Sequence, residues 1–176
     1  MTPAKGHDVL VAALTRIADL PWRCVCVGSL DRDPGFVDRL RREVRGGGLG
    51  DRVRFVGART GADLDAAYAG ADLLVLASRA ETYGMVVTEA LARGLPVVAT
   101  AVGGLPEALG RSPGGRPGLL VPADDPAALA AALRCWLDEP GVRQRLRAAV
   151  QDRRATLSGW SATSERIRRV LAEVAT

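Results

Sequence analysis

Short apolar runs alternate with helical patterns along this chain, and that alternation predicts an α/β fold in which a parallel sheet is covered by helices on both faces. Two observations support it. Runs such as Leu73-Leu74-Val75-Leu76 and Val97-Val98-Ala99 are apolar at every position instead of every second one, as strands buried from both sides are. The segments between them carry helix signals, with Asp33-Pro34 opening one, Gly94 closing another and Pro106 starting a third. With 176 residues and 48% hydrophobic content, the chain is long enough for one domain, 1–176, with a sizeable core. Aromatic residues are only 4%, so that core must be made of Val, Leu and Ala.

Taken in order, Asp8 to Leu20 has helical spacing (Val9, Leu10, Ala13, Leu14, Ile17) and stops before Pro21. Arg23 to Gly28 is a short strand. Asp33 is an N-cap, and Pro34 at the first helical position opens a helix to about Arg45. Gly46-Gly47-Gly48-Leu49-Gly50 is a flexible turn, followed by a strand at Arg52 to Val56 and a short helix at Ala62 to Ala69. Asp72 to Leu76 reads as a fully buried strand, and Val86 to Ala92 as a helix ending at Gly94. Pro96 to Thr100 is a strand, Pro106 starts a short helix, and Gly118 to Val121 is the last strand. Two or three helices rich in Ala, Arg and Leu close the chain from Asp125 onward. In such sheets ligands gather at the carboxyl ends of strands, where Gly28, Gly57, Ser78 and Thr100 fall.

Composition excludes several classes of protein. No apolar stretch approaches the ~20 residues of a membrane span, and the amino terminus lacks the apolar region of a signal peptide. The expected location is therefore the cytoplasm. The net charge is +4, and of 24 basic residues all but Lys5 are Arg. Gly141 to Thr176 holds eight Arg against three acidic residues. That excess is an ordinary solvated helix face or, in a sharper reading, a contact with an acidic partner or the inner face of a membrane. Nucleic acid is not expected as a partner, since no binding motif accompanies the charge. Three cysteines do not make a disulfide scaffold. Cys24 and Cys26 face one side of their strand as core hydrophobes. With one histidine in the chain, no metal site is expected. His7 itself reads as a solvent-side residue of the first helix. Asp31-Arg32-Asp33 and Asp63-Leu64-Asp65 have metal-motif spacing, but capping and a helical setting account for them.

The most informative stretch is Ser78-Arg79-Ala80-Glu81-Thr82-Tyr83-Gly84-Met85-Val86-Val87-Thr88-Glu89. It leaves a strand and opens onto a helix, so it offers unpaired N–H groups and the positive end of the helix dipole to an anion such as phosphate. Gly84 lets a ligand approach the backbone. Tyr83, Met85 and Val86 would contribute mainly backbone N–H groups. Glu89 lies too far inside the helix to cap it. It either accepts hydrogen bonds from neighbouring hydroxyls, such as those of a ribose, or faces solvent. Glu81 either faces a polyol or forms a capping box with Ser78. The spacing predicts that both carboxylates surround one point.

At these residues the chain resembles the donor-binding half of retaining GT-B glycosyltransferases of group 1. Glu81 and Glu89 are separated by seven residues with Gly84 between them. Gly94-Leu95-Pro96-Val97-Val98-Ala99-Thr100 and Val102-Gly103-Gly104-Leu105-Pro106-Glu107 follow. The likeness runs from Lys5-Gly6-His7-Asp8 through Arg52–Gly57 and Gly118–Pro122 to Trp160. It implies a Rossmann-like domain and binding of a nucleotide-diphosphate sugar, UDP- or GDP-linked, without metal or other cofactor. It also implies hexosyl transfer with retention. Lys5 would contact the diphosphate, and Glu81 would face the sugar or the charge at its anomeric carbon. Gly28, Phe55 and Val56 would edge the nucleotide, and Gly103-Gly104 would be a turn near the donor or a plain turn. Glu107 reads as structural.

In the family a strand ending in Gly-Arg precedes the Lys-Gly helix, in the middle of the sheet. By that resemblance the first strand and the acceptor-binding domain are expected to be missing from residues 1–176, as in a truncated product or a chain whose missing parts another chain supplies. Unpaired central backbone groups cost ~1–3 kcal/mol each when buried. The expectation is therefore direct re-pairing of the flanking strands, a homo-oligomer, or a partner chain that supplies the missing parts. The alternative function is a catalytically inactive nucleotide-binding or interaction module that needs such a partner.

Overall fold

A computed structural model describes residues 1–157. After a single 3₁₀ turn at Pro3–Lys5 come α1 (His7–Thr15), β1 (Cys24–Val27), α2 (Pro34–Gly46), β2 (Val53–Gly57) and α3 (Gly61–Ala69). They are followed by β3 (Leu74–Leu76), α4 (Met85–Ala92), β4 (Val97–Thr100), α5 (Leu105–Leu109), β5 (Gly118–Val121), α6 (Pro126–Asp138) and α7 (Pro140–Thr156). Two of the three long helices that start with proline, α2 and α6, begin alike. Asp33 accepts a hydrogen bond from the Phe36 N–H at 2.9 Å and Asp125 one from the Ala128 N–H at 2.8 Å, and both are followed by Pro at the first position. The chain beyond Leu157, including Trp160 and much of the Arg-rich segment, lies outside the described residues.

Helix α1 is shorter than its apolar pattern predicts. Beyond Thr15 the chain tightens into turns, with the Ile17 N–H on the Leu14 carbonyl. The carbonyls released there are taken by a distant side chain. Arg52 donates to the carbonyl oxygens of Ala18 (2.7 Å), Leu20 and Trp22 (3.1 Å), and its guanidinium stacks 3.8 Å from the Trp22 ring.

The strands are parallel throughout, with β1 on β2, β3 on β4 and β4 on β5. In the second set the residues alternate between two cores. Val75, Val98, Leu119 and Val121 point to the side covered by α1 and α6. Leu74, Leu76, Val97, Ala99 and Leu120 point to the side covered by α4, α5 and α7. This is the doubly covered sheet the apolar runs predict. Cys24 and Cys26 pack together into the first core with Val53 and Phe55, also as predicted. The other face of β1 and β2 is open, and Val25 is 54% exposed.

The expected re-pairing does not occur. Among the described residues β1–β2 and β3–β4–β5 are separate sheets, and β1 and β3 share no ladder. Strand β3 is correspondingly shorter than the run Asp72–Leu76, and all three of its residues are half-buried instead of buried. With β3 only half-buried and Val25 of β1 exposed, these edges are not in the fully buried setting where orphan backbone groups are most costly. Residues 1–5 close the carboxyl end of this gap. The Met1 amino group donates to the Ser29 carbonyl beyond β1, and the Arg79 N–H donates to the Ala4 carbonyl at 2.8 Å beyond β3.

Candidate functional site

The loop that leaves β3 is fixed by contacts far away in sequence. Ser78 is buried, and its carbonyl accepts from Thr100 Oγ1 at 2.6 Å. Arg79 donates to both carboxylate oxygens of Asp8 at 2.9 Å and to Asp124 at 2.6 Å, and it also reaches the Pro3 carbonyl. This bidentate pair ties the loop to α1 and to the start of α6. No local pattern around Arg79 announces that role. The Gly104 N–H donates to the Glu81 carbonyl at 3.1 Å. Gly103, at φ 48°, lies so close that a Cβ would overlap the same oxygen. The Gly103-Gly104 turn therefore seats the Glu81 backbone.

Gly84 is the N-cap of α4 with φ 66°, a left-handed conformation that glycine adopts without strain. A Cβ on it would lie 3.0 Å from the side chains of Ala108 and Leu105, so α5 packs closely behind it. In front is a cleft of about 150 Å³ lined by Lys5, Leu76, Glu81, Tyr83, Gly84, Met85 and Val86. The N–H groups of Met85 and Val86 have no loop acceptor among the described residues, as the first turn of a helix leaves them. Lys5 Nζ and Glu81 Oε2 form an ion pair at 2.6 Å across the cleft, with side chains 48% and 23% exposed. Glu81 thus makes no capping box, since the helix starts three residues later at Gly84 and the carboxylate turns to Lys5. The rim is apolar and exposed, with Tyr83 at 78% and Met85 at 58%. The cleft is smaller than those that enclose a whole drug-sized ligand.

Glu89 does not line this cleft. It sits one turn further along α4 and points to α3, where the Tyr68 hydroxyl donates to its Oε2 at 3.0 Å. Arg93 lies over the Tyr68 ring at 4.5 Å, donates to Asp65 at 2.7 Å and reaches the Glu89 carbonyl at 3.3 Å. Burial and the hydrogen bond to Glu89 push the Tyr68 phenol up to about 12. The expectation that both carboxylates surround one point is not met, since Glu81 lines the cleft and Glu89 does not. Arg93 was readable as the i+4 neighbour of Glu89, whereas Tyr68, on another helix, was not.

The remaining predicted residues lie across the open edges. Gly28 follows β1 and donates its N–H to the Gly57 carbonyl at 2.9 Å, while Phe55 and Val56 are half-buried on β2. None of the three lines the cleft at Gly84. A larger hollow of about 470 Å³ lies at Asp72, Gly94, Pro96, Arg147 and Gln151. It is at the amino ends of β3 and β4, where sheets of this kind do not gather ligands. Asp33 is occupied in capping α2, and Asp65 pairs with Arg93.

His7 departs from its expected place at the surface. It is half-buried, and its Nδ1 is buried with no hydrogen-bond partner. Burial, helped by the nearby amino terminus, lowers its pKa from 6.5 to about 4. The unfolded chain therefore binds a proton on His7 below about pH 6.5 that the folded chain refuses until about pH 4. Stability falls as the pH drops through that window and is unaffected by this group above it. At pH 5 the loss from this residue is on the order of 2 kcal/mol. Urea titrations should show the decline from pH 7.5 to 5 to be shallower in His7→Gln than in the parent chain.

A family model of glycosyl transferases group 1 matches residues 1–139, and the chain belongs to that family. Its architecture is that of one Rossmann-like half of a GT-B enzyme. It is 36% identical over 173 residues to D-inositol 3-phosphate glycosyltransferase 1 of Catenulispora acidiphila, covering 93% of this chain and 40% of the relative. Among solved structures, it is 33% identical to sucrose-phosphate synthase of Thermosynechococcus elongatus with a TM-score of 0.82, covering 98% of this chain and 43% of that one. It is 26% identical to Anabaena HepE solved with UDP-glucose, with a TM-score of 0.84, covering 98% of this chain and 46% of that one. The chain thus spans about two fifths of the length of the curated relatives it matches.

Proposed function

We propose that residues 1–176 form a single donor domain that binds a nucleotide-diphosphate sugar and serves hexosyl transfer with retention. The observation that carries this reading is the Lys5–Glu81 pair at 2.6 Å, set in a cleft at the free amino end of α4. A cation and open N–H groups suit a diphosphate, and the carboxylate beside them suits the sugar attached to it. Membership of the family and the likeness to HepE, a protein solved with UDP-glucose, support it. Lys5 and the helix dipole supply the positive charge that a metal ion supplies in other phosphate sites. As the bond from the anomeric carbon to the phosphate oxygen breaks, its electron pair stays on that oxygen, where Lys5 and the α4 N–H groups stabilise it. Glu81, released from Lys5, faces the positive charge left on the sugar. The acceptor hydroxyl attacks from the face the phosphate leaves and gives its proton to that phosphate. Glu89 holds the ribose hydroxyls, the backbone near Gly28, Phe55 and Val56 borders the base, and Gly103-Gly104 keeps Glu81 in place.

The acceptor platform comes from an N-terminal domain or a partner chain, because transfer requires an acceptor held against the anomeric carbon. The open edges of β1 and β3 favour a second reading, in which the chain is an inactive module completed by a partner. Titration calorimetry with UDP, GDP, ADP and their hexose conjugates separates the two. Binding of at least one, with the sugar conjugate competing at the same site, is expected. Absence of binding to all of them leaves the second reading.

A further inference from the structure

In the reading above Glu89 receives the ribose, and the structure shows that this carboxylate is already held before any ligand arrives. Its Oε2 accepts from the Tyr68 hydroxyl at 3.0 Å, across the junction of α3 and α4. A carboxylate is acceptor-only, so the phenol must be the donor. The phenol ring is braced in turn. The Arg93 guanidinium covers it at 4.5 Å and is itself anchored to Asp65 at 2.7 Å. Glu89 Oε1 makes no hydrogen bond among the described residues. The terminal torsion of a glutamate is broad and roughly two-fold, so an untethered carboxylate would be spread over many orientations. One oxygen pinned by a braced phenol leaves the other in a defined direction.

We propose that Tyr68 is a positioning residue for nucleotide recognition, fixing the Glu89 carboxylate so that its free oxygen meets the vicinal hydroxyls of the ribose. The proposal rests on Glu89 being the ribose contact. Raised to about 12, the phenol keeps its proton, and hence its donor, throughout the physiological range. Asp65 and Arg93 are the outer members of the same chain of contacts. Ordering one side chain in advance is worth roughly a three- to tenfold gain in affinity.

The test compares two ligands on the whole chain. The nucleoside diphosphate bound tightest among UDP, GDP and ADP is titrated into parent and Tyr68→Phe proteins, and then its 2′,3′-dideoxy counterpart. Tyr68→Phe should weaken the diphosphate with an intact ribose three- to tenfold and leave the dideoxy compound within twofold. In a Glu89→Ala background the same change should have no further effect. Arg93→Gln, which loosens the brace and keeps the phenol, should give a smaller loss in the same direction. Equal weakening of both ligands, or of neither, overturns the positioning role. If the parent protein binds none of the three diphosphates, the donor-site reading falls and this inference with it. If the parent binds and Tyr68→Phe still favours the intact ribose as strongly, only the inference falls.

Discussion

Replacing Glu89 with alanine is expected to weaken nucleoside diphosphate binding ten- to a hundredfold and to leave the chain folded. Hydrogen bonds to a charged group contribute ~1.5–3 kcal/mol each, and a carboxylate that accepts from a ribose diol makes at least one. The fold should tolerate the loss, since Glu89 is half-buried on one side of α4 and its one side-chain hydrogen bond among the described residues is to Tyr68. The phenol left behind is itself half-buried, so water can replace the lost acceptor, and stability should change by no more than ~1 kcal/mol. Calorimetry at constant ionic strength reads the affinity, and a thermal melt reads the fold. An unchanged Kd would make Glu89 a plain helix glutamate.

The largest effect on stability is expected at Gly103. Its φ of 48° is left-handed, and a Cβ there would overlap the Glu81 carbonyl oxygen. Gly103→Val places a β-branched side chain in that conformation, costing ~1–3 kcal/mol before any collision. The collision is with backbone, which cannot rotate aside as a flexible side chain would. A total loss above ~3 kcal/mol follows, equivalent to about 6–12 °C in Tm for a chain of this size. The Gly104 N–H bond to the Glu81 carbonyl would move with it, so whatever Glu81 does in the cleft would suffer too. Gly46→Ala is the control. No atom lies within 4 Å of its Cβ and it ends α2, so alanine there should be neutral or slightly stabilising. A Gly103→Val protein that melts with the parent would show that the turn is looser than the structure has it.

Most of the fold was legible because its signals are local. Asp33-Pro34 specifies the start of α2 within two residues, and strands apolar at every position announce a sheet covered twice. What escaped was decided by partners distant in sequence. Helix α1 gives way to turns after Thr15, and Arg52 takes carbonyls of the segment that follows. Ser78-x-x-Glu81 has the letters of a capping box, but Lys5 lies within 2.6 Å of the glutamate and wins it. His7 looked like a surface residue at a helix start, and only the packing around it shows otherwise. The loop and helix of the candidate site are legible in the sequence, whereas its supports (Arg79 on Asp8 and Asp124, Tyr68 on Glu89) join residues far apart along the chain. A hydrogen bond between residues 21 positions apart on different helices leaves no periodic trace.

The unzipped margins of β1 and β3, with Val25 uncovered alongside, also bear on handling. Free strand borders act as templates for other extended chains. The polypeptide spanning 1–176 should therefore be prone to self-association through these borders as its concentration rises. Assays of ligand affinity belong at dilutions where that crowding is absent.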